Sequence, residues 1–103
     1  MRRFALRTDE NQRSVVAALR DIGVTVNIVN LPFDLAVSGL DSSGKRQLCY
    51  MEVKNTKTGY GRKGMKDGGN ANQKSWIEKN PNAPVFFVDT PEVAIAVWKE
   101  FAK

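Results

Sequence analysis

The feature of this sequence that most limits its fold is a pair of apolar, strand-like segments separated by a turn signal. The segments cover residues 33–39 and 46–54, and residues 41–44 between them read Asp-Ser-Ser-Gly, a composition typical of tight turns. We therefore predict an antiparallel hairpin. In such a pair, the start of the first strand lies beside the end of the second.

Charged residues occupy these two strand ends, although acids are depleted from strand interiors. Asp34 opens the first segment, and Glu52 and Lys54 close the second. Side chains alternate along a strand, so Glu52 and Lys54 share one face and Asp34 can meet them across the hairpin. Two carboxylates at close range repel unless a cation separates them or one is protonated. The alternative is an ordinary surface Glu–Lys pair at a strand end, which stabilises a fold little.

Composition excludes several kinds of chemistry. The chain has no histidine and one cysteine, Cys49. An intramolecular disulfide, a cysteine-rich zinc site, a histidine-ligated metal and nucleophilic catalysis with a histidine base are therefore excluded. Any metal must have oxygen ligands, which favours magnesium, manganese or calcium. The 16 basic and 11 acidic residues give a net charge of +5, which favours a polyanionic partner but also fits an incidentally basic soluble domain.

The remaining patterns predict one α/β domain over residues 1–103. A helix is expected from Thr8 or Asp9 to Gly23, then a strand over 24–29, and the order is α-β-β-β-α-β-α. The later elements are a helix near 71–79, a buried strand at 85–88 and a C-terminal helix after Asp89-Thr90-Pro91. A central mixed sheet flanked by helices on both faces buries these elements most simply.

A long segment without a regular apolar pattern follows the third predicted strand. Residues 55–72 are rich in glycine and poor in apolar side chains, and they predict a long, flexible, basic loop.

The sequence contains neither the apolar region of a signal peptide nor an apolar run of membrane length. We therefore expect a cytoplasmic protein with no membrane partner.

The order of these elements and charges resembles the PD-(D/E)XK nuclease superfamily, which has a restriction-endonuclease-like core. The resemblance rests on Asp34 and the Glu-Val-Lys tripeptide at 52–54, on strands two and three after an N-terminal helix. It covers roughly residues 8–98 and looks most like the small VRR-NUC proteins and archaeal Holliday-junction resolvases. One departure is that Phe33 separates Pro32 from the aspartate, which in the family often follows proline directly.

The resemblance implies a metal-dependent endonuclease that hydrolyses DNA phosphodiester bonds. Asp34 and Glu52 would hold Mg²⁺ or Mn²⁺ together with the backbone carbonyl of Val53, and Lys54 would activate water or stabilise developing charge. A minimal domain favours structure-selective cleavage of junctions, flaps or other branched DNA by a homodimer. Small stand-alone members are common in phages, where they act in the host cytoplasm. The alternatives are a non-catalytic nucleic-acid-binding module of the same fold and a protein-interaction domain.

Family members often carry an acid in the first helix that reaches the metal. Glu10 is the candidate by residue type, but helical spacing places it roughly opposite the apolar face of the helix. Gln12 lies on that face, eleven residues before Gly23, close to the family's spacing. We therefore prefer Gln12 at this position, with Asp9 as a weaker choice. A solvated polar residue in the first helical turn is the alternative.

The last candidates lie after the third strand. Gln73 shares a helix face with Trp76 and Ile77 and matches a glutamine that related nucleases place beside the site; an ordinary boundary residue is the alternative. The predicted nucleic-acid contacts are Lys57, Tyr60, Arg62, Lys63 and Lys66, with Arg2, Arg3 and Arg7 adding to the positive field. Spaced cations on a flexible backbone suit sequence-independent contact with phosphates. A solvated loop is the alternative for each residue taken singly.

Overall fold

A computed structural model describes residues 10–57 and 59–103, and this part forms a four-stranded sheet with four helices. The elements are α1 Glu10–Asp21, β1 Thr25–Ile28, β2 Leu35–Leu40, β3 Arg46–Val53, α2 Gly59–Asp67, α3 Ala71–Lys79, β4 Val85–Val88 and α4 Pro91–Phe101. The strand order is β1-β2-β3-β4, with antiparallel β1–β2 and β2–β3 pairs and a parallel β3–β4 pair. The mixed α/β class and the predicted order are confirmed, and α2 is an additional helix.

The β2–β3 hairpin sets the geometry of the strand ends. Asp41 accepts hydrogen bonds from the hydroxyl and the backbone N–H of Ser43, at 2.6 and 2.9 Å. The hydroxyl bond is the main reason that the pKa of Asp41 lies well below its usual range. The register of the hairpin, continued by one residue beyond β2, places Asp34 directly opposite Glu52.

One face of the sheet packs against α1 and α4. The core between this face and the two helices includes the buried residues Val15, Val16, Leu19, Val26, Leu35, Val37, Cys49, Met51, Val53, Val88, Ala94 and Trp98. Because strand side chains alternate, Tyr50 and Glu52 point to the opposite face. There Trp76 of α3 contacts Tyr50 and Phe33, with ring centroids 5.6 and 5.3 Å apart. Helices therefore cover both faces, as predicted.

Local sequence signals correctly predicted the end of α1 and the start of α4. Gly23 ends α1 in the left-handed conformation, with φ of 89°. Thr90 caps α4 by accepting the backbone N–H of Val93, and Pro91 occupies the first helical position. Both were expected from the sequence. The predicted α1 caps, Thr8 and Asp9, lie outside the described residues.

The predicted flexible loop over 55–72 is wrong for residues 59–67, which form α2. Three glycines lie within this helix, and each lowers helix propensity by about 1 kcal/mol relative to alanine. Tertiary packing accounts for one of them, because a Cβ added at Gly64 would lie 3.2 Å from Cε of Lys54. The absence of a side chain thus lets α2 approach the end of β3. The two glycines after α2 have φ of 73° and 101°, which stops the helix.

Candidate functional site

Asp34, Glu52 and Lys54 form one cluster at the junction of β2 and β3. The backbone N–H of Asp34 donates to Oε1 of Glu52 at 2.9 Å, and Oδ2 of Asp34 accepts the N–H of Val53 at 2.9 Å. Nζ of Lys54 lies 3.3 Å from Oε2 of Glu52. The structure therefore brings together the three charged residues that the hairpin register predicted.

The cluster is largely removed from solvent. The side chains of Glu52 and Lys54 are only 11% and 16% exposed, so the pair is not the surface ion pair considered as the alternative. Burying charged groups carries a desolvation cost that a well-packed apolar pair would avoid. The two carboxylates and one ammonium sum to a charge of −1. Binding of a cation would complement this charge.

The donor set fits a hard divalent cation. Carboxylate oxygens are the ligands that Mg²⁺ and Mn²⁺ prefer, and Mg²⁺ commonly uses one or two carboxylates while keeping several waters. Within residues 10–57 and 59–103, no group of three or more His, Cys, Asp or Glu side chains comes together. The two carboxylates of Asp34 and Glu52 thus suit an ion that keeps part of its hydration shell. The carbonyl of Val53 as a ligand stays a prediction.

Helix α1 reaches the same end of the sheet. Gln12 is buried and Glu10 is exposed, as the helical register predicted. The neighbouring Asn11 was not predicted: its Nδ2 donates to the carbonyls of Lys54 at 3.0 Å and Asp89 at 2.8 Å. Asn11 therefore ties the start of α1 to the ends of β3 and β4. No sequence pattern signalled this bridge, because it depends on where α1 docks. A catalytic role for Gln12 stays a prediction.

Gln73 is buried, and its amide connects α3 to the segment before β2. Its Nε2 donates to the carbonyl of Pro32 at 3.3 Å, and its Oε1 accepts the N–H of Asn70 at 3.1 Å. Asn70 in turn accepts the N–H of Gln73, which completes a capping box. The nitrogen and the oxygen of the Gln73 amide thus both make hydrogen bonds that hold the fold together. Direct contact of Gln73 with a reacting group stays a prediction. The Asn-x-x-Gln spacing is a sequence signal for this cap.

We expect Gly69→Ala to lower the free energy of unfolding by about 2 to 4 kcal/mol. Gly69 has φ of 101°, and an added Cβ would lie 2.5 Å from Oε1 of Gln73 and 3.0 Å from the ring of Phe87. Gly44→Ala is the matched control, since Gly44 has φ of 87° but no atom within 4 Å of the added Cβ. Urea denaturation measures both; equal losses would show that contact with Gln73 and Phe87 adds nothing.

The predicted nucleic-acid contacts lie on α2 and the turn before it, and not on a loop. The exposed members are Lys57, Arg62, Lys63 and Lys66. Arg62 also donates to the carbonyl of Thr56 at 3.0 Å, which fixes its guanidinium near the end of β3. The side chain of Tyr60, together with Arg2, Arg3 and Arg7, falls outside the described part of the chain. DNA contact by these residues stays a prediction.

A cavity of about 170 Å³ lies where α2 and the start of α3 meet the end of β3. Lys54 and Lys63 contribute its cations, Asp67 contributes one carboxylate, and Asn70 lies on its border. The wall therefore carries two ammonium groups and one carboxylate, and the ammonium of Lys54 is at the same time paired with Glu52. Lys54 thus connects this cavity to the cluster of Asp34, Glu52 and Lys54.

The single thiol plays no part in this chemistry. Cys49 is fully buried in the core between the sheet and the helices α1 and α4. Burial raises the pKa of its thiol to about 12, so almost no nucleophilic thiolate exists at neutral pH. With no histidine in the chain, a nucleophile activated at this site is most simply water.

Comparison with known proteins provides no family assignment, because the chain matches no family model, no curated protein and no solved structure. Among the residues that the structure describes, no helix is both long and apolar enough to cross a bilayer.

Proposed function

We propose that this protein is a nuclease that hydrolyses DNA phosphodiester bonds with Mg²⁺ or Mn²⁺. The observation that supports this most is the largely buried cluster of Asp34, Glu52 and Lys54 at adjacent strand ends. Its order along the chain is the one on which the resemblance to the PD-(D/E)XK superfamily rests. Membership in that superfamily and a restriction-endonuclease-like core are parts of the same proposal.

Each residue of the cluster would have a different role in hydrolysis. Asp34 and Glu52 would hold the ion, and the N–H of Val53 keeps one oxygen of Asp34 in place. The bound ion would supply a water of lowered pKa and polarise the scissile phosphate. Lys54, oriented by its ion pair with Glu52, would place an ammonium where negative charge develops. Exposed cations on α2 would hold the phosphate backbone without reading base sequence.

From the family resemblance we also propose which DNA the protein cleaves and in which oligomeric state it acts. The small single-domain members of the family lead us to expect selection of DNA by its structure, at junctions, flaps or other branches. Cleavage by a homodimer in the cytoplasm, including that of a phage-infected host, is what the small resolvases of the family lead us to expect.

A second candidate is a nucleic-acid-binding module of the same fold that does not cleave. Two observations favour it: among residues 10–57 and 59–103, only Asp34 and Glu52 contribute carboxylates to the cluster, and Gln12 occupies the helix position where the family often has an acid. Both oxygens of Glu52 already accept contacts from Asp34 and Lys54. The two candidates share DNA binding and differ in chemistry.

Incubating the purified protein with supercoiled plasmid, a four-way junction and a flap substrate separates these candidates. We expect cleavage with Mg²⁺ or Mn²⁺, none with EDTA, and faster cleavage of the branched substrates. Binding without cleavage in either metal would contradict the nuclease and favour the module. Failure to bind any of the substrates at modest salt would contradict both and favour a protein-interaction domain.

We expect Lys63→Ala to make DNA binding less dependent on salt. Lys63 is exposed on α2 and lines the cationic cavity beside Lys54. Losing one phosphate contact should reduce the slope of log K against log salt concentration by about 1. Lys99→Ala is the control, because Lys99 is exposed on α4, which packs on the other face of the sheet. Equal slopes for the two variants would contradict a phosphate contact at Lys63.

A further inference from the structure

A second cavity lies on the other side of Glu52, between α3 and the segment before β2. This groove has a volume of about 360 Å³, in the range of small-molecule sites. Its wall combines the ring of Trp76 with the carboxamides of Asn30 and Asn72, and Glu52 closes it toward the cluster. It contains no lysine or arginine among its described lining residues. Its chemistry is therefore that of a flat aromatic surface flanked by neutral hydrogen-bonding groups, with one carboxylate at the end where Glu52 lies.

The aromatic wall of the groove is held in place by packing. Trp76 meets Phe33 and Tyr50 edge to face, with interplanar angles of 88° and 81°. Phe33 is fully buried, whereas Trp76 is only partly buried and so retains accessible ring surface at the groove. A ring fixed in advance loses little conformational entropy when a flat ligand packs against it.

The carboxamides around the groove fall into two classes. Asn70 and Gln73 use their side chains in the capping box and the bond to Pro32. Asn30 and Asn72 are exposed, and neither side chain has a hydrogen-bond partner in the described part of the protein. Each therefore has a donor and an acceptor available to a ligand. Asn30 is held at the rim with φ of 69°, and its backbone N–H donates to the carbonyl of Asp34.

The two cavities lie next to the two members of one ion pair, Lys54 in the first and Glu52 in the second, and their walls differ in chemistry. Lys54, Lys63 and Asp67 line the first, while an aromatic ring, neutral amides and the carboxylate of Glu52 line the second. A nucleotide has the same division between an anionic phosphate and a flat base with hydrogen-bonding edges. We infer that the groove binds one unpaired base of a DNA strand whose phosphate lies near Glu52 and Lys54. The position of that phosphate rests on the proposed function, and the inference adds that the substrate has unpaired nucleotides.

Binding of matched DNA strands tests the groove without any cleavage. The probes are a fluorescent 12-nucleotide oligothymidylate and a strand of equal length whose sugars lack bases, both at low salt with EDTA. We expect anisotropy titrations to give at least about fivefold tighter binding of the strand with bases, from contact between a base and Trp76. The phosphate contacts of the two strands are the same, so the ratio reports base binding.

Two variants locate the effect without disturbing the aromatic packing. Asn72→Ala and Asn30→Gly each remove a carboxamide, and glycine suits the left-handed conformation at 30. We expect each to weaken binding of the oligothymidylate by about 3- to 10-fold and to leave the abasic strand unaffected. Asn82→Ala, an exposed asparagine outside the groove, should change neither.

Equal affinity of the wild-type protein for the two strands would overturn the inference. So would equal effects of Asn72→Ala and Asn82→Ala, or failure of the protein to bind either strand. These outcomes are separable from the fate of the proposed nuclease, because no metal is present. Preference for bases without metal-dependent cleavage would contradict only the nuclease, whereas cleavage without that preference would contradict only the groove.

Discussion

Replacing Glu52 by glutamine is expected to slow metal-dependent cleavage by about 10²- to 10⁴-fold, while the protein still folds and binds DNA. Glutamine has nearly the same shape and keeps an oxygen that can accept the N–H of Asp34, a contact of 2.9 Å in the native protein. It lacks the negative charge that a hard cation requires. A loss of several kcal/mol of transition-state stabilisation corresponds to the stated decrease in rate. Initial rates on a branched substrate, over a range of Mg²⁺ concentrations, measure it.

The same substitution removes the charge partner of Lys54. Because that ammonium is only 16% exposed, we expect the free energy of unfolding to fall by about 1 to 3 kcal/mol. Urea denaturation then shows whether the variant remains folded under assay conditions, so that lost cleavage is not confused with lost structure.

Glu10→Gln is the matched control for Glu52→Gln, because it makes the same chemical change at the other candidate acid. Glu10 is exposed at the start of α1 and lies on the opposite side of that helix from the packed face. We expect its cleavage rate to stay within about twofold of the native rate. A rate for Glu52→Gln as high as that of the control would contradict a metal ligand at position 52. A large loss in Glu10→Gln would instead identify Glu10 as an acid of the first helix that acts in cleavage.

Local signals predicted most of the fold. The bounds expected for α3, β4 and the start of α4 agree with the structure, because each is set by a nearby cap, proline or change in apolar pattern. Helix α2 was missed for the opposite reason. Its glycines predict a loop on propensity alone, and a reason for one of them appears only in the folded chain, where Gly64 packs against Lys54, ten residues earlier in the sequence. Contacts of this kind are set by tertiary structure.

The candidate site, like the fold, could be predicted from the sequence only in part. The meeting of Asp34 with Glu52 followed from hairpin register and side-chain alternation, two rules that need only positions along the chain. The burial of the cluster, the bridge made by Asn11 and the groove beside Trp76 depend on how α1 and α3 dock on the sheet. No spacing rule specifies that docking, so these features could not be predicted.

Phe33→Ala is expected to lower the free energy of unfolding by about 3 to 5 kcal/mol, a large part of the roughly 5 to 15 kcal/mol typical of a small domain. Phe33 is fully buried, and its ring contacts those of Tyr50, Trp76 and Phe87 at centroid distances of 6.0, 5.3 and 6.2 Å. Truncation leaves a cavity where α3 meets the sheet. The midpoint and slope of urea denaturation measure the loss.

Phe86→Ala is the control, because Phe86 is partly buried on the other face of the sheet, where its ring lies 5.7 Å from that of Phe101. It removes the same atoms, and we expect a smaller loss than for Phe33→Ala because less apolar surface returns to water. Equal losses would show that the aromatic cluster under α3 contributes no more than partly buried packing. Phe33→Leu keeps most of the volume and should cost less than Phe33→Ala. Since Phe33 directly precedes Asp34, cleavage by this milder variant would show whether the aromatic cluster also positions the carboxylate.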